Sequence, residues 1–285
     1  MTNEEREDTG RGPRGGRACV LLAVFSLAVT GCGRGPTGSG PRSPEPPGEP
    51  QARETGEEDC RRFGRLFGLD RLAEELDALS PDPRDLAAAY ASRAEQDVRD
   101  AAYEGCLAGA RAVFAMEREA ARIAPLADQA AEGAGCTAIE TTPNEGQAHI
   151  GEEAPPPQYA TTPAASGPHR VSALSPDVSV YNEPVDEPTA VHNLEHGYTV
   201  LYYRPEDPTV APEVVAMLEG LARNFEKVVV APHPGLPEDV GLALVAWRRL
   251  QRCPPTIAVS DAESVAGSFV LRFAGTDVAP EPLGP

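Results

Sequence analysis

The chain has 285 residues, which allows one or two domains. Its 44 acidic residues outnumber its 25 basic residues, and the net charge of −19 has the wrong sign for binding a nucleic acid. The 27 Gly and 30 Pro residues indicate that part of the chain is an extended segment rather than a folded core.

The N-terminal segment has the features of a lipoprotein export signal. Arg11, Arg14 and Arg17 precede an apolar run over residues 18–29, and the run ends in Val29-Thr30-Gly31-Cys32. An aliphatic residue, two small residues and a cysteine are what a lipoprotein signal peptidase requires before diacylglycerol is attached. A transmembrane anchor is disfavoured because about 12 apolar residues cannot cross a hydrocarbon core of about 30 Å. We predict a signal peptide over residues 1–31, lipidation of Cys32 and a location outside the cytoplasmic membrane.

The next segment, residues 32–57, contains mainly Gly, Pro, Ser and Glu and is predicted to be a disordered tether. Four cysteines then remain for the folded region, and an oxidising compartment favours their pairing into disulfides. They are Cys60, Cys106, Cys136 and Cys253. Free buried thiols or a metal site are the alternatives, but no CxxC spacing supports cysteine ligation of zinc.

Residues 58–125 are predicted to form a helical hairpin. Apolar residues recur every three or four positions from Asp59 to Ser80 and again from Leu86 to Ile123, with a proline-containing turn at residues 80–83 between the two runs. In an antiparallel hairpin Cys60 and Cys106 lie at similar distances from the turn, so we pair them. By elimination Cys136 pairs with Cys253. The apolar stripe is expected to serve spacing or docking on an envelope protein.

The C-terminal region, residues 136–285, is predicted to be a small α+β domain with a short, mostly antiparallel sheet. Strands are expected at about residues 198–203, 226–231 and 240–249, and helices at about 212–223 and 261–273. His233 lies between two prolines on the loop after the second of these strands, and we expect it to be exposed rather than a ligand.

Four of the five histidines lie between residues 149 and 196, which is the most specific internal signal: His149, His169, His192 and His196. Pro188 and Gly197 enclose a predicted helix of about two turns. Because His192 and His196 are four residues apart, this helix places both imidazoles on one face, as two ligands of one metal require. Glu195 lies near the same face as a ligand, an acid or base, or a carboxylate that orients an imidazole.

A third ligand is predicted at His169, because the turn Ser166-Gly167-Pro168 before it restricts its direction. His149 is the weaker fourth candidate, since no nearby residue fixes its orientation. The alternative is a structural role in which the imidazoles bond to backbone carbonyls and no metal is held.

Several of these pieces resemble the bacterial domain-of-unknown-function 3105 family over about residues 136–285. The pieces are His149, Tyr159, Ser166-Gly167-Pro168-His169, Tyr181, the run from Val191 to Gly197, Tyr202-Tyr203, Val228 to Pro232, Ala246-Trp247 and Pro280-Glu281-Pro282. The resemblance implies an exported or membrane-anchored module and carries no biochemical function. Some relatives have a cysteine a few residues before Tyr181, where this chain has Val178-Ser179-Val180, so the resemblance implies no thiolate ligand here.

Three classes of function follow from these residues. The first is a membrane-tethered module that binds Zn or Cu through His169, His192 and His196, completed by His149 or Glu195. The second is a metal-dependent hydrolase with Glu195 as acid or base; the run from His192 to His196 also matches the inverted zinc-peptidase motif, for which Glu213 and Glu219 are unsupported third ligands. The third is an envelope interaction module without a metal. We expect no nucleotide or organic cofactor.

Overall fold

The computed structural model of the protein describes residues 48–206, 209–282 and 284. The described residues form one compact unit. The predicted signal peptide, the lipidation site Cys32 and the first part of the tether lie outside the described residues. Among the helices of the described part, none has the length and apolar character needed to cross a membrane.

The described chain begins with four helices: α1 (Glu49–Phe67), α2 (Leu69–Leu76), α3 (Pro83–Ser92) and α4 (Arg99–Ala134). The predicted tether therefore ends too late, because residues 49–57 are helical. Ala52, Gly56 and Cys60 are buried on one side of α1. Their four-residue spacing extends the packing face towards the N-terminus, and small residues do not stand out as an apolar stripe in the sequence.

The helices α1 and α4 run parallel, so the prediction of an antiparallel pair was wrong. A side chain at Gly105 would collide with the carbonyl of Arg53, and one at Gly109 would collide with the carbonyl of Glu57. Further along, Gly64 faces Val113. Residue numbers thus increase together along both helices. Glycine is required at the crossing because the two backbones approach too closely for a Cβ atom.

The chain reaches this parallel arrangement because two short helices reverse it between α1 and α4. Gly68 adopts a φ of 82°, which ends α1 before the predicted helix is complete. The side chain of Asp82 accepts a hydrogen bond from the backbone N–H of Arg84 and starts α3 at Pro83. The apolar residues of α2 and α3, including Leu72, Leu76 and Leu86, are buried against α1 and α4.

Both predicted disulfides are present. Cys60–Cys106 joins α1 to α4, and Cys136–Cys253 joins the segment after α4 to the sheet. The first pairing was inferred from an antiparallel hairpin, yet it also fits the parallel helices because Gly56 and Gly105 bring neighbouring turns of α1 and α4 together. Parallel packing thus places Cys60 beside Cys106 for a different reason from the one predicted.

The C-terminal region confirms the α+β prediction. A five-stranded sheet has the order β1-β7-β6-β4-β5 and consists of β1 (Glu140–Thr141), β4 (Thr199–Tyr203), β5 (Val228–Pro232), β6 (Leu242–Ala246) and β7 (Arg249–Cys253). Its strands are antiparallel except for the parallel pair β4–β5. The remaining elements are the paired strands β2 (His149–Ile150) and β3 (His169–Arg170), and the helices α5 (Glu187–Glu195), α6 (Pro212–Asn224) and α7 (Val259–Phe273).

The strand β7 was missed because its turn carries no sequence signal. The predicted strand over residues 240–249 is a hairpin in which Trp247 and Arg248 connect β6 to β7. Arg248 takes the left-handed conformation with a φ of 57°, a position where Asn, Asp or Gly is usual. An arginine there gives no indication that the chain reverses.

The sheet lies between a layer that contains α6 and α7 and a layer that contains α5, and the candidate site depends on the layer with α5. Along β4 the side chain of Leu201 packs with α6 and α7, whereas Val200 and Tyr202 pack on the opposite face with Val191 and Leu194 of α5. Alternation along a strand sends successive side chains to opposite faces. The helix α5 is therefore fixed on a rigid surface formed by the sheet.

The Cys60–Cys106 bond closes a loop with a sequence separation of 46 residues. Replacing both cysteines by alanine is expected to lower the free energy of unfolding by about 4 kcal/mol, because the unfolded chain regains loop entropy. Urea denaturation followed by circular dichroism measures the loss. Reduction of the wild type breaks both disulfides, so the reduced protein is the matched control. Its free energy of unfolding should fall further than that of the variant. A loss below about 1 kcal/mol would contradict this account of the bond.

Candidate metal centre

Two short strands place His149 and His169 side by side. The strands β2 and β3 are parallel, with His149 opposite His169, and the backbone N–H of His169 donates to the carbonyl of Ala148 at 3.0 Å. Gly167 precedes this pair with a φ of 123°, and an added Cβ there would press against the ring of Tyr159. Glycine therefore permits the turn that directs His169 inwards, as the sequence predicted for this turn.

The helix α5 supplies the other predicted ligands. The side chain of Asp186 accepts from the backbone N–H of Thr189 at 3.2 Å and caps the start of the helix. His192 and Glu195 lie in the last turns, and His196 follows as the residue at the C-terminal cap. Gly197 then leaves the helix with a φ of 82°. The helix is thus as short as predicted and ends at the candidate site.

Each of three imidazoles is oriented by a backbone carbonyl. Nδ1 of His169 lies 2.8 Å from the carbonyl oxygen of Gly167, and Nδ1 of His192 lies 2.8 Å from that of Arg170. Nδ1 of His196 lies 3.2 Å from the carbonyl oxygen of Glu281. A carbonyl only accepts, so Nδ1 must be the donor in all three rings. In the neutral rings Nε2 then carries a lone pair instead of a proton.

The Nε2 atoms lie close to other atoms that can only accept hydrogen bonds. Nε2 of His192 lies 2.8 Å from Nε2 of His196, and Nε2 of His169 lies 3.0 Å from Oε2 of Glu195. His169 is completely buried, and Nε2 of this ring has no hydrogen-bond partner. The side chains of His192, Glu195 and His196 are also buried. The site therefore holds two close contacts between atoms that carry lone pairs or negative charge.

The residue Glu195 is only 2% exposed. Gln147 donates from Nε2 to Oε1 at 3.0 Å, and Oε2 faces His169. A neutral amide and a neutral imidazole do not balance a full negative charge in a buried position, where an unpaired charge is costly. A cation at this point would supply the missing balance.

Two overlapping groups of side chains have ligand atoms within 4.8 Å of one another. One group is His149, His169 and His192; the other is His192, Glu195 and His196. All four histidines of the sequence prediction are thus brought together. His149 is the exposed member, while the other three are buried.

The fifth histidine was predicted to be exposed, and this was wrong. The side chain of His233 is only 14% exposed, and Nε2 lies 3.3 Å from Oε1 of Glu187 at the start of α5. The loop after β5 folds back, so this ring also packs against Tyr202. His233 belongs to neither group of ligand atoms.

The two acidic residues considered as third ligands of a peptidase do not join the centre. Both lie on α6, where Glu219 pairs with Arg223 at 2.7 Å and Glu213 lies in the first turn. The helix α6 packs with α7 on the face of the sheet opposite α5. The structure therefore offers no support for either residue as a ligand.

The sequence analysis did not identify Lys227 and the C-terminal segment, which pack against the His196 side of the site. The ammonium of Lys227 donates to the carbonyls of His196, Pro282 and Gly284 at 2.8, 3.0 and 2.8 Å. The backbone N–H of Glu281 donates to the carbonyl of Glu195 at 3.0 Å. The C-terminal segment is thereby fixed over His196. Lys227 is the only lysine in the chain, and that rarity was the one available signal.

Burial affects the charge of both groups at this end of the site. Desolvation, followed by the neighbouring His192, lowers the pKa of His196 and favours its neutral ring. Desolvation, followed by Arg62, lowers the pKa of Lys227 to about 8. A neutral imidazole is the form that binds a metal.

Replacing Lys227 by methionine should release the C-terminal segment. Methionine keeps the Cβ atom at a φ of 57°, so the variant loses the three donated hydrogen bonds and the contact of the ammonium with the ring of Tyr198. We expect the free energy of unfolding to fall by about 1–3 kcal/mol and the backbone amide of Glu281 to exchange faster with solvent. Urea denaturation and hydrogen exchange measure these effects.

The matched control is Arg223→Met, which removes an exposed ion pair with Glu219 and should change the free energy of unfolding by less than about 1 kcal/mol. Unchanged exchange at Glu281 in Lys227→Met would show that the ammonium does not hold the segment.

Comparison with known proteins agrees with the resemblance found in the sequence. Residues 152–282 match the family described as "Protein of unknown function (DUF3105)". This region includes His169, the whole of α5 and Glu281, while His149 and Gln147 lie just before it. No curated protein and no solved structure matches the chain significantly. The domain that carries the buried histidines therefore belongs, over residues 152–282, to the DUF3105 family.

Proposed function

We propose that the C-terminal domain binds one transition-metal ion through Nε2 of His169, His192 and His196 and the carboxylate of Glu195. The observation that carries the proposal is the set of three Nδ1–carbonyl hydrogen bonds, which direct three Nε2 lone pairs into a buried space. Carbonyl or carboxylate partners on the second ring nitrogen are the usual support of a metal-binding histidine.

Protons alone account poorly for the same contacts. A proton between His192 and His196 turns one ring into an imidazolium, and a proton between His169 and Glu195 either does the same to His169 or neutralises the carboxylate. The buried site would then hold either two imidazolium rings beside one carboxylate or one imidazolium without a carboxylate to balance it. Burial disfavours the charged form of His196 in particular. One divalent cation satisfies both contacts and leaves every ring neutral.

Two of the separations are close to those around a tetrahedral ion. Ligands about 2.0–2.1 Å from such an ion lie about 3.3 Å from one another. The Nε2 atoms of His192 and His196 are 2.8 Å apart, and Nε2 of His169 is 3.0 Å from Oε2 of Glu195. His192, Glu195 and His196 form one group of ligand atoms, and His169 must move towards it to share the same ion. Three imidazoles and one carboxylate favour Zn²⁺ or Cu²⁺. The four cysteines of the described chain are paired in disulfides and offer no thiolate.

Binding fits this geometry better than hydrolysis. A catalytic zinc keeps one coordination position for water, and a general base must reach that water. In this proposal Glu195 is a ligand that completes the shell of four, and its other oxygen is held by Gln147. A hydrolase would require Glu195 to leave the metal. An interaction module without a metal is the remaining alternative, and the absence of metal uptake would favour it.

We also propose that the domain is held outside the cytoplasmic membrane by a lipid on Cys32. The lipoprotein signal in the sequence and two disulfides in the folded region support this location, because disulfides persist in oxidising compartments. Residues 32–48, the part of the predicted tether that precedes α1, would then separate the anchor from this helix.

Wild-type protein that is secreted and then purified without a nickel column should contain about one Zn or Cu ion per chain. The double variant His192→Ala/His196→Ala should contain none. Metal analysis by mass spectrometry of the soluble chain from residue 33 onward provides the measurement. The matched control is His233→Ala, because this histidine, whose side chain is only 14% exposed, lies outside both groups of ligand atoms.

The control should retain the metal of the wild type. If the folded wild type contains no metal and takes up neither Zn²⁺ nor Cu²⁺ at neutral pH, the metal proposal is wrong.

The substitution Cys32→Ser removes the only sulfur to which the lipid can be attached in the predicted signal. The variant should appear in the soluble fraction, since a missing acyl anchor removes the apolar contribution to membrane binding. Membrane fractionation with antibody detection measures this. The control is Cys19→Ser, which removes a sulfur elsewhere in the predicted signal peptide and should leave the protein membrane-bound. Persistent membrane binding of Cys32→Ser would contradict the anchor.

A further inference from the structure

His149 has an unusual position for a residue so close to three buried histidines. Its side chain is exposed, yet its ring centre lies 4.8 Å from that of His169 and 5.3 Å from that of His192. The parallel pairing of β2 and β3 fixes it opposite His169. His149 therefore stands between solvent and the buried ligands.

The two overlapping groups of ligand atoms define two positions for an ion. The outer position is formed by His149, His169 and His192, whose ligand atoms lie within 4.8 Å of one another. The inner position is the buried group formed by His192, Glu195 and His196, so only His192 belongs to both groups. The proposed site extends the inner position to His169, whose Nε2 lies 3.0 Å from Oε2 of Glu195.

We infer that His149 is the ligand that first captures the ion, which then moves to the inner position by exchanging His149 for Glu195 and His196. This inference rests on the proposed metal-binding function. During the exchange the ion keeps His169 and His192, so it is never released as a bare cation inside the protein. Stepwise exchange avoids the large cost of removing all ligands from a divalent ion in a buried place.

Charge gives the movement its direction. In the outer position three neutral imidazoles leave the full charge of a divalent ion uncompensated, while solvent remains close to His149. In the inner position the carboxylate of Glu195 cancels one charge, and a buried ion pair with good geometry is strong. The ion therefore rests in the inner position at equilibrium, and His149 affects mainly the rates of loading and release.

Burial explains why such a ligand is needed. His169 is fully buried and Glu195 is 2% exposed. On the other side, the C-terminal segment bonded to Lys227 lies over His196. The exposed side of the site is thus the side of His149. The net charge of −19 raises the local concentration of cations around the whole molecule, but it does not select this point of access.

Trp247 provides a direct measurement of loading. It is the only tryptophan of the chain, and its ring centre lies 6.5 Å from that of His169. Bound Cu²⁺ quenches the fluorescence of a tryptophan at this distance. In a stopped-flow experiment the protein is mixed with Cu²⁺ and, after a variable delay, with EDTA. The loading rate is the rate at which the fraction of quenching that resists EDTA increases with the delay. Prolonged competition with EDTA gives the release rate, and titration gives the dissociation constant.

Without its imidazole, His149→Ala should load and release Cu²⁺ more slowly by about tenfold, which corresponds to about 1.4 kcal/mol on the barrier. The dissociation constant should change by less than about threefold, because the final ligands are intact. His149→Asp restores a ligand atom and should recover most of the rate, whereas the similar but weakly ligating His149→Asn should not. His233→Ala is the control for the loss of an imidazole elsewhere.

Equal loading rates in the wild type and His149→Ala would overturn the inference and leave the metal proposal intact. Faster release with a higher dissociation constant would also overturn it, because His149 would then be an ordinary ligand of the final site. A wild type that binds no Cu²⁺ would overturn both proposals.

Discussion

The hydrogen bonds from three imidazoles to backbone carbonyls determine what this site can do. They fix Nδ1 as the donor in His169, His192 and His196, and they leave three Nε2 lone pairs directed at one another or at a carboxylate. The sequence hypothesis of a structural role proposed that imidazoles bond to carbonyls and hold no metal. The structure contains those bonds, yet Nε2 of His169 has no hydrogen-bond partner, and the Nε2 atoms of His192 and His196 face each other. The bonds to carbonyls are therefore compatible with the proposed metal site as well as with a structural role.

The three carbonyls come from distant parts of the fold, so the fold as a whole sets the geometry of the site. Gly167 belongs to the turn before β3, Arg170 ends β3, and Glu281 belongs to the C-terminal segment. Lys227, which is near the start of β5, connects this last segment to the carbonyl of His196. The helix α5 is too short to persist by itself and depends on packing against β4. A change in the sheet or the C-terminal segment therefore alters the orientation of the imidazoles.

Local patterns predicted which candidate ligands come together, whereas they gave no information on long-range packing. The four-residue spacing of His192 and His196 and the turn before His169 are local, and the structure brings these residues together. Gln147, Lys227 and the carbonyl of Glu281 reach the site through tertiary contacts that no periodicity indicates. The parallel packing of α1 and α4 was missed for a related reason. It depends on glycines whose role becomes evident only when the two backbones are in contact.

The distribution of the site along the chain would link the proposed metal binding to folding. The residues that form and support the site extend from Gln147 to Glu281, and the Cys136–Cys253 disulfide encloses most of this region. An unfolded chain cannot hold these groups within a few ångströms, so the free energy of metal binding would add to the stability of the folded state. In the absence of an ion, the buried carboxylate and the facing lone pairs would oppose folding. The packed sheet, the disulfides and the hydrogen bonds of Lys227 would then have to keep these groups together.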